Sequence, residues 1–205
     1  MTALAQTNPN QAIPHESVVT AQATFRAVMN ATARPGSIQT LHHGPSAPAP
    51  LSPGAAALAL ALFDHDTPIW LDTKLSEKPA VADWLRFQTG APVTADPMEA
   101  TFALVSDTAH LPALHLFNPG TPEYPDRSTT LILQVDTFAA GSRIALMGPG
   151  IRGRQLLQAA PLPGDLPAQL ALNRGLFPRG VDLLLVSSDS VAAIPRSARV
   201  MTGEG

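Results

Sequence analysis

The chain contains no cysteine. Disulfides, thiolate zinc sites, iron–sulfur clusters and a cysteine nucleophile are therefore excluded from this polypeptide. Lysine is nearly absent. Lys74 and Lys78 are the two present, and both lie in a polar stretch that suggests no pocket for a Schiff-base amine. Aromatics are 5% of the residues, too few to form a stacking platform for single-stranded nucleic acid. The longest apolar run covers residues 55–63, far short of the roughly 20 residues that cross a bilayer. No basic segment precedes an apolar one near Met1, so no secretory signal is expected and the cytoplasm is the expected location. Charged residues reach only 14%, against about 25% in typical globular chains. A surface so poor in charge suits burial against partners.

What is present is proline and a lopsided distribution of arginine. The 21 prolines argue against a simple helical bundle, because interior proline breaks helices. Ten residues, 44–53, form a Pro-rich run that reads as a linker. At 205 residues the chain fits one domain. Residues 1–14 are polar and Pro-interrupted and read as an extension; residues 15–205 read as a single α/β domain. Net charge is −3, but residues 1–142 hold six Lys/Arg against twelve Asp/Glu, and residues 143–199 hold seven Arg against three Asp. Arginine pairs well with phosphate and carboxylate and is enriched at protein interfaces. The interface reading is preferred.

Periodicity gives the elements. Residues 15–33 place Val18, Ala21, Phe25, Val28, Met29 and Thr32 at helical spacing, and Pro35-Gly36 ends that helix. Residues 37–41 form a short strand. Ser52-Pro53 is an N-cap followed by proline at the first helical position, opening a helix apolar on all sides and hence buried. After an Asp64–Thr67 turn come a strand at 68–72 and a helix at 77–88 capped by Ser76. Strands follow at 92–93, 101–106, 129–135, 143–147 and 154–159, with a short helix at 110–117 and a loop at 118–127. A helix at 166–174 precedes strands at 181–187, 191–194 and 199–201. The pattern indicates an α/β fold with one central mixed sheet flanked by helices.

Chemistry-bearing motifs are few. Gly148-Pro149-Gly150-Ile151-Arg152-Gly153 matches G-x-G-x-x-G, which can wrap a pyrophosphate when a helix follows and an acid stands about 20 residues on. Asp165 and Asp182 are at the wrong distance, so the plainer reading is a Gly-rich turn between strands. No G-x-x-x-x-G-K-[ST] occurs, which excludes a P-loop. Asp64-His65-Asp66 offers metal ligands, but no H-x-x-x-H or H-E-x-x-H supports it, and the aspartates suit a turn better. His42-His43 reads as a solvated pair, and His110 and His115 do not share a helix face well. No G-x-S-x-G elbow supports a serine triad. No catalytic residue and no metal site is assigned. The candidates for phosphate binding are Gly148, Gly150, Arg152, Arg154, Arg179 and Arg196.

Several segments, in order, resemble the PhnH family of the bacterial carbon–phosphorus lyase system. They are Phe25-Arg26 leading to Arg34-Pro35-Gly36, then Asp64-x-x-Thr67-Pro68-x-Trp70-Leu71. Leu85-Arg86-Phe87-Gln88-Thr89-Gly90-Ala91-Pro92 and Thr101-Phe102-Ala103 follow. Gly120-Thr121 leads to Ser128-Thr129-Thr130-Leu131-Ile132-Leu133-Gln134-Val135. The last are residues 146–151, Phe177-Pro178-x-Gly180-x-Asp182-Leu183 and Ile194-Pro195-Arg196. The resemblance covers residues 20–200.

It implies a subunit that helps transfer an alkylphosphonate onto the ribose C1 of ATP, giving an α-D-ribose 1-alkylphosphonate 5-triphosphate. Radical cleavage of the carbon–phosphorus bond would follow on another subunit. It implies a fold like the large domain of pyridoxal-phosphate-dependent transferases without the cofactor site. ATP and Mg would serve the complex, with no cofactor, and no pyridoxal phosphate, bound by this subunit. The expected partners are the other carbon–phosphorus lyase subunits, with a homodimer when the chain is alone, and neither nucleic acid nor membrane. The role expected is structural or interactional. The alternative is a nucleotide- or phosphonate-binding subunit lending arginines to a shared active site.

Overall fold

Two stretches, 130–134 and 182–186, are apolar through their centres and become strands packed on both faces. They sit side by side in the central sheet. The computed structural model describes residues 15–42 and 46–201. In chain order the elements are α1 (His15–Ala33), β1 (Gln39–Thr40), α2 (Pro53–Leu62), β2 (Ile69–Leu71), α3 (Thr73–Ser76) and α4 (Pro79–Thr89). Next are β3 (Phe102–Val105), β4 (Thr130–Gln134), β5 (Arg143–Met147), β6 (Gln155–Gln158), α5 (Leu166–Gly175), β7 (Asp182–Val186), β8 (Ser190–Ile194) and β9 (Arg199–Met201).

The central sheet runs β1-β8-β7-β4-β3-β2. Strands β2, β3, β4 and β7 are mutually parallel, and β8 pairs antiparallel with both β7 and β1. The strand alternation sends side chains to two cores. Leu104, Ile132, Leu184 and Val186 face α1, α2 and α4. Ala103, Leu131, Leu133, Leu183 and Leu185 face α5, a set of 3₁₀ turns and a second sheet. That second sheet runs β6-β5-β9, antiparallel throughout.

The expectation of one sheet is thus right about the central mixed sheet and misses the smaller one. Its strands differ in kind. Arg143-Ile144-Ala145-Leu146-Met147 buries only Ile144 and Leu146, leaving Arg143 and Met147 exposed and Ala145 half-buried, the mark of a sheet covered on one face.

Helix α2 follows its expected cap: the Ser52 hydroxyl accepts the N–H of Ala55 at 3.2 Å, with Pro53 at the first helical position. The expected cap at Ser76 is corrected. Ser76 is the last residue of α3, a single turn capped by Asp72, and α4 begins at Pro79. Proline tolerates only the first turn of a helix, so the chain restarts there. The helical stripe read in α1 also divides. Ala27, Val28 and Ala31 are buried, whereas Val18, Phe25 and Met29 face outward. Residues 110–117 do not form one helix: one 3₁₀ turn, Thr108–His110, ends where the expected helix begins, and a second spans Leu114–Leu116. The extension at 1–14, His43 and residues 44–45 of the Pro-rich run lie outside the described residues.

Candidate functional site

Parallel α/β sheets present ligands beyond the carboxyl ends of their strands. At that edge Asp72 follows β2 directly and is buried. Its carboxylate accepts the N–H groups of Leu75 at 2.9 Å, Ser106 at 2.6 Å and Asp107 at 2.8 Å, plus the Ser106 hydroxyl at 3.1 Å. The group therefore caps α3 and ties the end of β2 to the end of β3. Beside it the exposed His110 pairs with Asp107 at 2.9 Å. At the end of β4, the Gln134 side chain accepts the N–H of Ser52 and donates to the carbonyl of Pro50 at 3.4 Å. Gly54 in the first turn of α2 is so close to β7 that a Cβ there would lie 1.9 Å from the Ser187 carbonyl oxygen. The amino end of α2, the natural seat for an anion, is occupied by the protein's own groups.

At the opposite edge, Arg196 bonds Asp182 at 2.8 Å and donates to the carbonyls of Gly180, at 3.0 Å, and Pro125. Its own N–H donates to Asp182 at 2.7 Å. Asp182 is also one of the residues lining a groove of about 180 Å³ between α1, α2 and the sheet, whose other walls are mainly apolar side chains such as Val28, Leu62, Phe102 and Leu184.

The Gly148–Gly153 motif joins β5 to β6, and no helix follows it. The Gly-rich turn is the form it takes. Gly150, at φ 78°, lies where a Cβ would stand 2.1 Å from the Ala33 carbonyl oxygen at the end of α1. Gly148 abuts Ser197. Packing thus accounts for both glycines. Arg152 and Arg154 project from the same connection, exposed, with no ion pair among the described residues. Arg179, half-buried, precedes the Gly180 that Arg196 binds. The fold therefore brings Arg179, Arg196 and Gly148 to neighbouring segments, with Arg196 already held by protein oxygens. Arg152 and Arg154 stand apart in solvent.

His65 and Asp66 lie 3.3 Å apart on the surface. Among the described residues, no three His, Cys, Asp or Glu side chains come together as metal ligands, and no helix is long and apolar enough to cross a membrane. Sequence reasoning missed Asp72, Gln134 and Asn173. The signal for Asp72 was available: an acid directly after an apolar strand and three residues before a buried leucine suits a helix cap. Gln134 and Asn173 act across 82 and 8 residues of chain, and nothing local marks the first.

The class defined is a mixed-sheet α/β protein in which Asp72, Gln134 and Asn173 serve its own fold and Arg152 and Arg154 stand exposed with no ion pair among the described residues. The family model described as "Bacterial phosphonate metabolism protein (PhnH)" matches residues 14–201. The chain is 40% identical over 185 residues to a Rhizobium meliloti (strain 1021) protein named "Alpha-D-ribose 1-methylphosphonate 5-triphosphate synthase subunit PhnH", covering 90% of this chain and 92% of that one. It is 29% identical over 185 residues to a Stutzerimonas stutzeri protein named "Putative C-P lyase subunit protein HtxG", covering 87% and 85%. The chain belongs to the PhnH family of bacterial phosphonate metabolism proteins.

Proposed function

We propose that this chain is a subunit of the carbon–phosphorus lyase system that supports synthesis of an α-D-ribose 1-alkylphosphonate 5-triphosphate, and that it acts through contacts with other subunits. The observation that carries this reading is the 40% identity along 92% of a relative named as such a synthase subunit. The internal use of Asp72, Gln134 and Arg196 supports a scaffold rather than a catalyst. In this reading the transferase chemistry, with its ATP and Mg, belongs to the assembled complex, and the subunit carries no cofactor of its own. Lys74 and Lys78 are both exposed on the α3–α4 segment, a poor setting for a pyridoxal phosphate aldehyde. The likeness to the large domain of pyridoxal-phosphate-dependent transferases, the homodimer of the isolated chain and its cytoplasmic location belong to the same reading. Co-expression with the other subunits, followed by light scattering of the purified species, tests it. A stable hetero-complex is expected; a chain that stays alone would sink the reading.

A second reading rests on Arg152 and Arg154, whose guanidinium groups have no acidic partner among the described residues. Free guanidinium groups pair with phosphate, so the subunit would lend them to a shared nucleotide or phosphonate site. Thermal unfolding with millimolar ATP or methylphosphonate, with and without magnesium, tests it. No change in melting temperature would count against it.

A further inference from the structure

Among the described residues, no element covers the outer face of the β6-β5-β9 sheet. Its register places Ala145 between Leu156 and Met201, and sets Met147 beside Arg199. Leu156 and Met201 are each 46% exposed, and Met147 is 39% exposed. The inner residues Ile144, Leu146 and Leu157 are buried against the core, so this exposure follows from strand alternation. Arg143 and Arg199 stand at opposite ends of the apolar row, both exposed. Arg154, directly ahead of β6 and in phase with Leu156, adds a third exposed arginine. None of the three has an ion pair among the described residues, and the outward-facing described residues of β5, β6 and β9 include no acid.

An apolar centre rich in Met and Leu inside an arginine rim is the composition of a protein interface. We propose that this face docks a different polypeptide, one presenting an apolar ridge bordered by Asp and Glu. The proposal rests on the subunit reading above and names the surface it uses. Charge decides the occupant. A second copy packed about a two-fold axis would set the same face against itself, bringing arginine rim to arginine rim, and like charges brought together across an interface cost affinity. A carboxylate-rimmed partner instead gives each guanidinium its missing acceptors.

The test compares wild type with Arg143→Glu/Arg199→Glu and with Leu156→Ser, in titrations against the co-expressed partner subunits. Arg86→Glu on α4, across the central sheet, is the control. All substituted side chains are exposed, and unfolding midpoints near wild type confirm folding. Binding at least about tenfold weaker is expected for both face variants, with the control unchanged. Wild-type binding should weaken as salt rises above about 0.15 M, and the arginine double variant should lose that dependence. Intact binding by both folded face variants overturns the face and leaves the subunit reading standing. Wild type that binds no subunit overturns both. Loss of self-association with partner binding preserved shows a second copy on this face and overturns the proposal.

Discussion

Arg196 holds Asp182 twice: its guanidinium lies 2.8 Å from one carboxylate oxygen, and its backbone N–H donates to the other at 2.7 Å. The pair pins the first residue of β7 to the segment after β8, and the same guanidinium reaches the carbonyls of Gly180 and Pro125. Replacement by methionine keeps the stem and removes the fork. Asp182 would be left partly buried without its ion partner, and two carbonyls would lose a donor. Arg196→Met is expected to lower stability by about 2 kcal/mol, read from the midpoint of urea unfolding. A variant as stable as wild type would show that the fork contributes little to the fold.

Asp72 offers a stronger case, because its carboxylate is the shared acceptor of three backbone N–H groups from two elements. Asp72→Ala leaves those donors unsatisfied at a buried point and removes the cap of α3. A loss of about 3 kcal/mol is expected. Hydrogen exchange should localise it, with the amides of Leu75, Ser106 and Asp107 losing protection first. Uniform loss across the sheet would argue against a local tie.

Much of this architecture was legible in the sequence. The bounds of α1 and β5, the Ser52 cap and the buried character of β4 and β7 follow from local pattern, since capping and strand alternation act within a few residues. What was not legible depends on pairing. Nothing in residues 143–147 states that they pair with 155–158 and 199–201 rather than with the central sheet. In the structure β5 buries only Ile144 and Leu146 whereas β4 is buried through its centre, a difference that follows from the pairing and not from either segment alone. The arginines show the same limit. Arg152, Arg154 and Arg196 look alike in sequence, yet one is bound by protein oxygens and two stand in solvent. Only the fold, by bringing Asp182, Gly180 and Pro125 to Arg196, makes that difference.

Asn173 closes a two-bond ring with Val181. Its amide nitrogen donates to the Val181 carbonyl at 2.9 Å, and its oxygen accepts the Val181 N–H at 2.9 Å. The ring fixes how α5 turns back into β7. Asn173→Asp keeps the acceptor but faces a carboxylate oxygen against a carbonyl in a buried site. It is expected to cost about 3 kcal/mol, while Asn173→Ser should cost less by leaving room for water. Denaturant unfolding of the two variants gives the order; equal losses would mean that the ring matters only for its volume.

Gly54 sets helix propensity against packing. Alanine is favoured over glycine by about 1 kcal/mol inside a helix, so local reasoning makes Gly54→Ala stabilising. The new Cβ would meet the Ser187 carbonyl oxygen at 1.9 Å and the Val186 side chain at 2.8 Å. Ser187 cannot easily retreat, because its N–H is bonded to the Ser190 carbonyl at 2.9 Å within the β7–β8 turn. Helix α2 would have to move instead, pulling Ser52 from Gln134. A loss above about 3 kcal/mol is expected. Gly175→Ala, at the end of α5 with open space around the new Cβ, should stay within about 0.5 kcal/mol of wild type. Thermal unfolding of both variants separates the effects. A stable Gly54→Ala protein would show that α2 does not approach the end of β7 this closely.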